Sequence, residues 1–394
     1  MQLEDGARKP LGESMYPTGE RPRVQTLAIR FTGSGSEYFR IWIVNLLLTL
    51  VTLSLYWPFA RARRIAYFQN NTVVGGDPLG FHADPWKMFR GYVVVMLMSI
   101  AYATLSEVAP QVSVWLLLLF ALVWPALWRA SLQFRLRNTS WRGVRMAFVG
   151  DLKGAYLALL PFFVPALVLG FLAPTLVEGD KPTADQQRQF ALVLAVVALT
   201  TVALLPWLFA RLKRYQHGNY QFAGERTELR ASSGSFYGLG LRTGGVVLLV
   251  VFLVVGAGVA VAMNSANKGM SLVAIMASVA LAYLLVPLVI VPYSTATLQN
   301  LLWANTRSRN TRFRSELRFG TLFRVNAINW LLIAITLGLY WPFARVRLAR
   351  ARLEAMSFQV KGDVDGWLAR AEARGPSGIL GDAAGDFFGI DLGL

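Results

Sequence analysis

Six neutral polar residues stand in two otherwise apolar segments, where a polar side chain is costly and therefore informative. They carry amides and hydroxyls that do not titrate near neutral pH. The chemistry open to them is hydrogen bonding to a solute at membrane depth rather than proton transfer. We take them as a candidate polar site within a membrane: Asn45, Thr49, Thr52, Asn326, Asn329 and Thr336.

The rest of the chemical inventory is sparse. The 394 residues include no cysteine, which excludes thiolate ligands, disulfides and cysteine nucleophiles. The only histidines, His82 and His217, fall in predicted loops, where we expect them to be solvated. No phosphate-binding loop, Gly-x-Ser-x-Gly or His-Glu-x-x-His motif occurs. We predict no catalytic residue, no metal site, no cofactor and no enzymatic activity.

The two polar segments end in nearly the same sequence. Thr52-Leu-Ser-Leu-Tyr-Trp-Pro-Phe-Ala-Arg61 returns 284 residues later as Thr336-Leu-Gly-Leu-Tyr-Trp-Pro-Phe-Ala-Arg345. Tyr, Trp and Pro at the end of an apolar run are typical of the membrane–water interface, so we assign these residues to an interfacial motif. Its members are Tyr56, Trp57, Pro58, Arg61, Tyr340, Trp341, Pro342 and Arg345.

Segment length separates these two segments from the others. Three stretches from an entry aromatic to an exit proline have room for two membrane crossings each: Phe89–Pro125, Tyr156–Pro206 and Tyr237–Pro292. They predict six clear transmembrane helices. The two polar segments, Phe39–Pro58 and Phe323–Pro342, have room for only one crossing.

Basic residues flank each short segment at both ends, for example Arg40 and Arg61 around the first. A single crossing would place one of these flanks on the wrong side of the membrane. We therefore favour re-entrant segments, each made of two half-helices that dip in and return. An ordinary short transmembrane helix with a basic external flank is the alternative.

Composition and charge agree with a polytopic membrane protein. The chain is 55% hydrophobic and only 15% charged, yet its net charge is +17. The basic residues concentrate in alternate loops, which is the positive-inside pattern and places those loops, and both termini, in the cytoplasm. We assign this charge to membrane topology and to contact with anionic lipid headgroups, and not to nucleic acid.

A recurrent spacing links the predicted membrane segments. An asparagine follows an exit proline by thirteen residues in four places, and a turn-forming residue follows five residues later: Gly76, Gly143, Gly224 and Asn310. Alternating apolar residues then follow, which is typical of a β-hairpin. The asparagines are assigned as hairpin caps: Asn71, Asn138, Asn219 and Asn305.

The predicted fold class is an all-α polytopic membrane protein with six transmembrane helices, two repeated re-entrant or short transmembrane segments, and small cytoplasmic β-hairpins. Residues 1–25 are expected to form a disordered tail, and residues 26–361 a single membrane domain with internal repeats. Residues 362–394 form an acidic, Gly-rich tail, solvated by default, with docking onto the basic surface as the alternative.

A family resemblance rests on Asn45-Leu-Leu-Leu-Thr-Leu, both Tyr-Trp-Pro-Phe-Ala-Arg motifs and the closing Gly381-Asp-Ala-Ala-Gly-Asp-Phe-Phe-Gly. The chain resembles the YjgN-like family of bacterial inner-membrane proteins. The resemblance implies a multi-pass protein of the inner membrane and supplies no catalytic residues. Our favoured hypothesis is a channel-like or transporter-like protein for a small neutral or amphiphilic solute. The alternative is a non-enzymatic membrane scaffold or anionic-lipid-contacting protein. Substrate and oligomeric state are left open.

Overall fold

The computed structural model describes residues 24–176 and 183–373 and is mostly helical. Its helices follow one another as five consecutive pairs, with short strands between the pairs and one further helix at the end. The first four pairs are α1 (Gly35–Val51) with α2 (Trp57–Asn70), α3 (Pro85–Val108) with α4 (Pro110–Arg137), α5 (Leu152–Leu159) and α6 (Val164–Leu176) with α7 (Ala184–His217), and α8 (Ser233–Met263) with α9 (Lys268–Ala304). The fifth is α10 (Phe319–Ile335) with α11 (Trp341–Leu353), and α12 is Val364–Ala373.

Five of these helices are long and apolar enough to cross a membrane: α3, α4, α7, α8 and α9. The bent pair α5 and α6, which a single 3₁₀ turn at Leu160–Phe162 joins at 49°, brings the number to six when it counts as one span. The six predicted spans therefore correspond to five or six candidate helices. The helices of the first and last pairs are shorter, and α10 has only 17 residues.

Local capping chemistry explains where four of the pairs begin. Three residues after a strand ends, a short polar side chain accepts a hydrogen bond from the first helical turn, which satisfies a free backbone N–H there. This residue is Ser34 before α1, Asp84 before α3, Asp151 before α5 and Ser232 before α8. Arg318 stands at the same place before α10 and makes no side-chain cap.

The helix pairs are arranged as a ring. Each helix pair contacts the next pair in chain order, and the ring closes where α1 packs against α11. The rings of Phe39 and Phe343 lie 5.7 Å apart at this closure, and the Arg350 guanidinium donates to the Gly33 carbonyl at 2.9 Å. The first and last helix pairs of the chain are therefore neighbours.

The strands lie at one end of the helix ring. They are β1 (Val24–Phe31), β2 (Thr72–Val74), β3 (Asp77–Phe81), β4 (Thr139–Trp141), β5 (Val144–Arg145), β6 (Ala147–Phe148), β7 (Tyr220–Phe222), β8 (Glu225–Arg226), β9 (Glu228–Leu229), β10 (Thr306–Arg307), β11 (Thr311–Ser315) and β12 (Met356–Lys361). All pairings are antiparallel, and β1 lies between β2 and β12 with Ile29 opposite Val74 and Ala28 opposite Ser357.

These strands form a closed ring. Consecutive strands pair from β1 to β5, from β6 to β8 and from β9 to β12, and β12 pairs with β1. Only Met146 separates β5 from β6, and only Thr227 separates β8 from β9. Their N–H groups donate to the carbonyls of Thr139 and Tyr220, so the ladder continues across both interruptions. The nine-stranded sheet from β5 through β1 to β9 and the three-stranded sheet β6–β8 are thereby joined into one ring by the continuous chain.

Three of the four predicted hairpins have two-residue turns in which both residues have positive φ, the geometry that suits the twist of paired strands. The turn residues are Gly75 and Gly76, Arg142 and Gly143, and Ala223 and Gly224. The fourth hairpin, β10–β11, turns differently, since the N–H of Ser308 donates to the carbonyl of Thr311 at 2.9 Å. Asn310 in that turn does not adopt positive φ.

The interior of the strand ring is a packed apolar core. Trp141, Phe358 and Val360 are buried there, with Val360 fully inaccessible. Helix α12 covers the core with Trp367 and Leu368, both buried. The ring is therefore filled by side chains rather than open along its axis.

The predicted domain boundaries differ from this structure at both ends. The strand β1 starts at Val24, inside the segment expected to be a disordered tail, because it pairs with β12. The segment expected to be a solvated acidic tail from residue 362 begins with α12, which is docked by its apolar face and by an ion pair of 2.6 Å between Asp365 and Arg142. The predicted tail residues 1–23 and 374–394 lie outside the described residues.

Candidate functional site

The first short segment is not one continuous helix. Helix α1 ends at Val51, and the chain turns through Leu53 and Ser54, which both have positive φ. The Thr52 hydroxyl stabilises this turn because it donates to the Leu48 carbonyl at 2.7 Å and accepts from the Tyr56 N–H at 3.0 Å. Every backbone N–H from Thr52 to Trp57 therefore has an acceptor within the segment.

The second short segment has the same geometry. Helix α10 ends at Ile335, and Leu337 and Gly338 have positive φ. The Thr336 hydroxyl donates to the Leu332 carbonyl at 2.7 Å and accepts from the Tyr340 N–H at 2.9 Å. Thr52 and Thr336 are thus turn-forming residues whose hydroxyls are already used.

An asparagine closes each of these two helix pairs. The Asn45 side-chain amide, on α1, donates to the Ala60 carbonyl on α2 at 3.5 Å, and the Asn329 amide, on α10, donates to the Ala344 carbonyl on α11 at 3.3 Å. Both asparagines are buried, with exposed fractions of 7% and 3%. In each, the side-chain oxygen Oδ1 is buried without a hydrogen-bond partner in the described structure.

The six polar residues do not form one continuous hydrogen-bonded cluster. The Thr49 hydroxyl donates to the Asn45 carbonyl at 2.7 Å, and Asn326 is buried on α10. Within the described ranges, no hydrogen bond joins Asn45, Thr49 or Thr52 to the three polar residues of the second pair. They form two separate amide sites whose helix pairs touch through α1 and α11.

The interfacial motifs pack in similar ways. Pro58 and Pro342 are buried, while Trp57 and Trp341 are nearly half exposed. The Arg345 guanidinium lies over the Trp341 ring at 4.7 Å. In both motifs the tyrosine ring stacks on the phenylalanine three residues later, Tyr56 on Phe59 and Tyr340 on Phe343.

The four hairpin asparagines all cap the helix before them. In each one the side-chain amide donates to the backbone carbonyl four residues earlier, at distances of 2.6–2.8 Å: Asn71, Asn138, Asn219 and Asn305. Their own backbone carbonyls have a second role. Each carbonyl accepts a hydrogen bond from the N–H of the residue that directly follows an earlier strand, for example His82 N–H to Asn138 at 2.8 Å and Arg230 N–H to Asn305 at 3.0 Å.

The two histidines differ from each other. His82 is exposed and contacts the Ser140 hydroxyl at 2.9 Å. His217 is buried at the end of α7, within 3.0 Å of the Thr306 hydroxyl, so the expectation of a solvated loop histidine is wrong for it. The ring contacts Tyr220, and burial raises the pKa of that phenol to about 12. Among the described residues, no group of three side chains could hold a metal ion.

Sequence reasoning missed a second feature, an open cleft of about 1040 Å³ beside the strand ring. It lies where α5 and the end of α7 meet β8–β11, and arginines dominate its lining. The signal was present in the basic residues of the third and fourth hairpins. Their convergence depends on strand pairing that local sequence does not specify.

These observations define a class: a mostly helical protein with five or six candidate membrane helices on a closed ring of strands. The family described as "Bacterial protein of unknown function (DUF898)" matches residues 26–387, and the chain belongs to it. The chain is 24% identical to the inner membrane protein YjgN of Salmonella typhimurium over 85% of its own length and 88% of that protein. It is 30% identical to inner membrane protein YjgN of Escherichia coli O157:H7 over 35% of its length and 34% of that protein. No solved structure matches.

Proposed function

We propose that this chain is a multi-pass, non-enzymatic protein of the bacterial inner membrane that lets an amphiphilic solute cross along one flank, where its two short helix pairs lie side by side. The similarity to proteins named inner membrane protein YjgN supports the location. The observation that carries the proposed function is the difference in length between the helix pairs that form one ring.

The prolines mark the same distance from the strand ring in each pair, so the lengths of the pairs can be compared from them. Each of Pro58, Pro125, Pro206 and Pro292 precedes its capping asparagine by thirteen residues, about 20 Å of helix. Beyond the proline, α4, α7 and α9 extend by 15, 22 and 24 residues, or about 23–36 Å. Helices α2 and α11 begin only one residue before theirs. The first and fifth pairs therefore stop at a depth where the other three continue.

The tips of the short pairs suit the bilayer interior. Leu53 and Leu337 are 87% and 94% exposed in the protein alone, and they lie on turns whose backbone N–H groups are hydrogen-bonded internally. Backbone at membrane depth needs such internal partners. Because the chain turns back at each tip, both ends of each pair lie at the strand ring. This supports two re-entrant segments that start and finish on the cytoplasmic side.

A flank of half-depth helices offers a path for an amphiphile. The bilayer becomes thinner beside a short hydrophobic segment to match its length, at a modest free-energy cost per Å of mismatch. The amide oxygens of Asn45 and Asn329 are unpartnered acceptors in this flank, and because both are buried, a solute reaches them only when the two helices of the pair move apart. The tip turns, Thr52–Tyr56 and Thr336–Tyr340, contain no ionisable side chain other than tyrosine, which suits a neutral or lipid-like solute better than an ion.

Cysteine accessibility tests the re-entrant arrangement, and the natural chain has no cysteine to interfere. Leu337→Cys should react with a membrane-impermeant maleimide from neither side until detergent is added. Ala266→Cys, in the connection between α8 and α9, is the control and should react from outside intact cells. Labelling of Leu337→Cys from outside would show that the fifth pair crosses the bilayer.

Lipid transfer tests the function. We expect phosphatidylcholine vesicles that contain the protein to expose an inner-leaflet fluorescent phospholipid to external dithionite faster than protein-free vesicles do. Asn45→Leu with Asn329→Leu should slow this transfer by at least about tenfold if each amide provides a hydrogen bond on the path. Asn264→Leu is the matched control, since that amide caps α8 at an exposed position. Transfer no faster than in protein-free vesicles would refute the proposal.

A scaffold that contacts anionic lipids is the second candidate. The filled interior of the strand ring favours it, because Trp141, Phe358 and Trp367 occupy the axis along which an aqueous channel would run. A scaffold should bind vesicles of phosphatidylglycerol more weakly as salt increases, and it should give no lipid transfer. Salt-independent binding would count against this candidate.

A further inference from the structure

The arginine-rich cleft between the third and fourth helix pairs is strongly imbalanced in charge. Eight cationic side chains and two carboxylates line it. Six of the cations have no carboxylate within 4 Å among the described residues: Arg211, Arg214, Arg226, Arg309, Arg312 and Lys361. So many like charges in one concave surface create a positive potential that attracts an anion.

The two carboxylates in the lining already have partners within the protein. Asp151 caps α5, where its Oδ2 accepts from the Gly154 N–H at 3.1 Å. Glu228 is shared, since its Oε1 lies 2.5 Å from Arg230 Nε and 3.2 Å from Arg307 Nε. Within residues 24–176 and 183–373, carboxylates therefore do not neutralise the charge of the cleft.

Strand pairing concentrates the charge further. Arg307 and Arg312 are directly opposite one another in the β10–β11 ladder, and like charges in this position are destabilising. Arg226 is held in place beside them, because its Nε donates to the Gly218 carbonyl at 2.8 Å and its guanidinium contacts Asn219 Oδ1. A bound anion would relieve the repulsion between the paired strands and use donors that are already oriented.

The membrane-facing end of the cleft has a different character. Leu157 lines it and is 50% exposed, and the Arg211 guanidinium lies over the Trp207 ring at 4.9 Å. Exposed apolar side chains beside a Trp–Arg pair are typical of a membrane interface. One end of the cleft therefore suits an acyl chain, and the rest suits an anionic group.

We propose that this cleft binds the phosphate-bearing headgroup of an anionic phospholipid. Guanidinium groups bind phosphate through two parallel hydrogen bonds, which makes arginine the natural residue for this ligand. The proposal does not depend on lipid transfer at the short helix pairs, which lie elsewhere on the helix ring.

The test measures lipid binding by the full-length protein in phosphatidylcholine nanodiscs to which phosphatidylglycerol is added. Arg309→Gln with Arg312→Gln removes two charges from the cleft without breaking any ion pair of the described structure. Arg318→Gln with Arg324→Gln removes two exposed charges from the fifth helix pair and is the matched control. We expect the cleft variant to bind phosphatidylglycerol at least about tenfold more weakly, and the control to bind nearly as well as the unmodified chain.

Two results would overturn the proposal. Equal weakening in both variants would show that diffuse surface charge, and not the cleft, attracts the lipid. Competition by inorganic phosphate as effective as that of the lipid itself would show that the cleft recognises a soluble phosphate and has no lipid site. Lipid transfer rates unchanged in the cleft variant would leave the proposed function intact, so the two proposals fail separately.

Discussion

Replacing Asn329 by leucine should stabilise the protein, although a native hydrogen bond is lost. The amide donates to the Ala344 carbonyl at 3.3 Å, a long bond, and side-chain hydrogen bonds between membrane helices average about 0.6 kcal/mol. The same amide buries an oxygen without a partner, which costs about 1–3 kcal/mol. Leucine has nearly the same volume and removes both terms. The expected net change is a gain of about 0.5–2 kcal/mol.

Thermal unfolding in detergent, followed by tryptophan fluorescence, measures this change. Asn329→Leu should raise Tm, and Asn45→Leu should do the same in the first pair. Asn329→Ala is the control, because it removes the amide but also leaves a cavity, so its Tm should fall below that of the leucine variant. A leucine variant less stable than the natural chain by more than about 1 kcal/mol would mean that Oδ1 has a partner, and the reasoning would fail.

Two further predictions concern the strand ring. Trp367→Ala should lower the free energy of unfolding by about 3–5 kcal/mol, because the Trp367 side chain is 6% exposed and closes the core. Asp365→Asn loses an ion pair from an 83% exposed side chain and should lower it by less than about 1 kcal/mol. Equal losses in Tm for the two variants would refute docking of α12 by its apolar face. Gly143→Ala should cost about 1–2 kcal/mol, because its φ of +80° suits glycine. Gly234→Ala, in the first turn of α8, should show no such loss in the same melt, and a neutral Gly143→Ala would refute the turn geometry.

Local features of the fold were predictable from sequence because local chemistry specifies them. The positions of Gly76, Gly143 and Gly224 after a capping asparagine place the two-residue turns correctly, since positive φ favours glycine. Asn310 follows the same spacing and forms a different turn. Spacing alone does not separate these cases, because the fourth hairpin also depends on Glu225, whose carboxylate accepts from the Asn310 N–H at 3.0 Å.

Long-range features could not be predicted in the same way. The N–H of the residue after a strand donates to a carbonyl at the end of a later helix in five places around the ring, for example Glu316 to Ala355. The residues joined are 39 to 75 positions apart, so no fixed period in the sequence reveals these bonds. The sequence of α12 does contain a helical pattern of apolar residues, but the acidic residues of the same segment led to its interpretation as a solvated tail. Val364, Trp367 and Leu368 are spaced as one apolar face of a helix, and all three are buried.

The candidate amide site was predictable in its residues but not in its geometry. Asn45 and Asn329 were identified because a polar side chain in an apolar run needs a partner. Sequence could not show that each would find that partner within its own helix pair, since this depends on the turn that follows. The threonines were interpreted as part of the same site, whereas the hydroxyls of Thr52 and Thr336 serve the turns.

Ring closure explains how two segments 284 residues apart could act together. Pairing of β1 with β12 and packing of α1 against α11 make neighbours of the first and last helix pairs. Had a full-length pair separated them, each short pair would stand between long helices on both sides, and lipid would meet two narrow notches. Side by side, they form in the proposed arrangement one continuous half-depth flank of four neighbouring helices, about 40 Å wide at about 10 Å per helix. A flank of that width can admit a whole phospholipid, which ties the proposed transfer function to the closure of the strand ring.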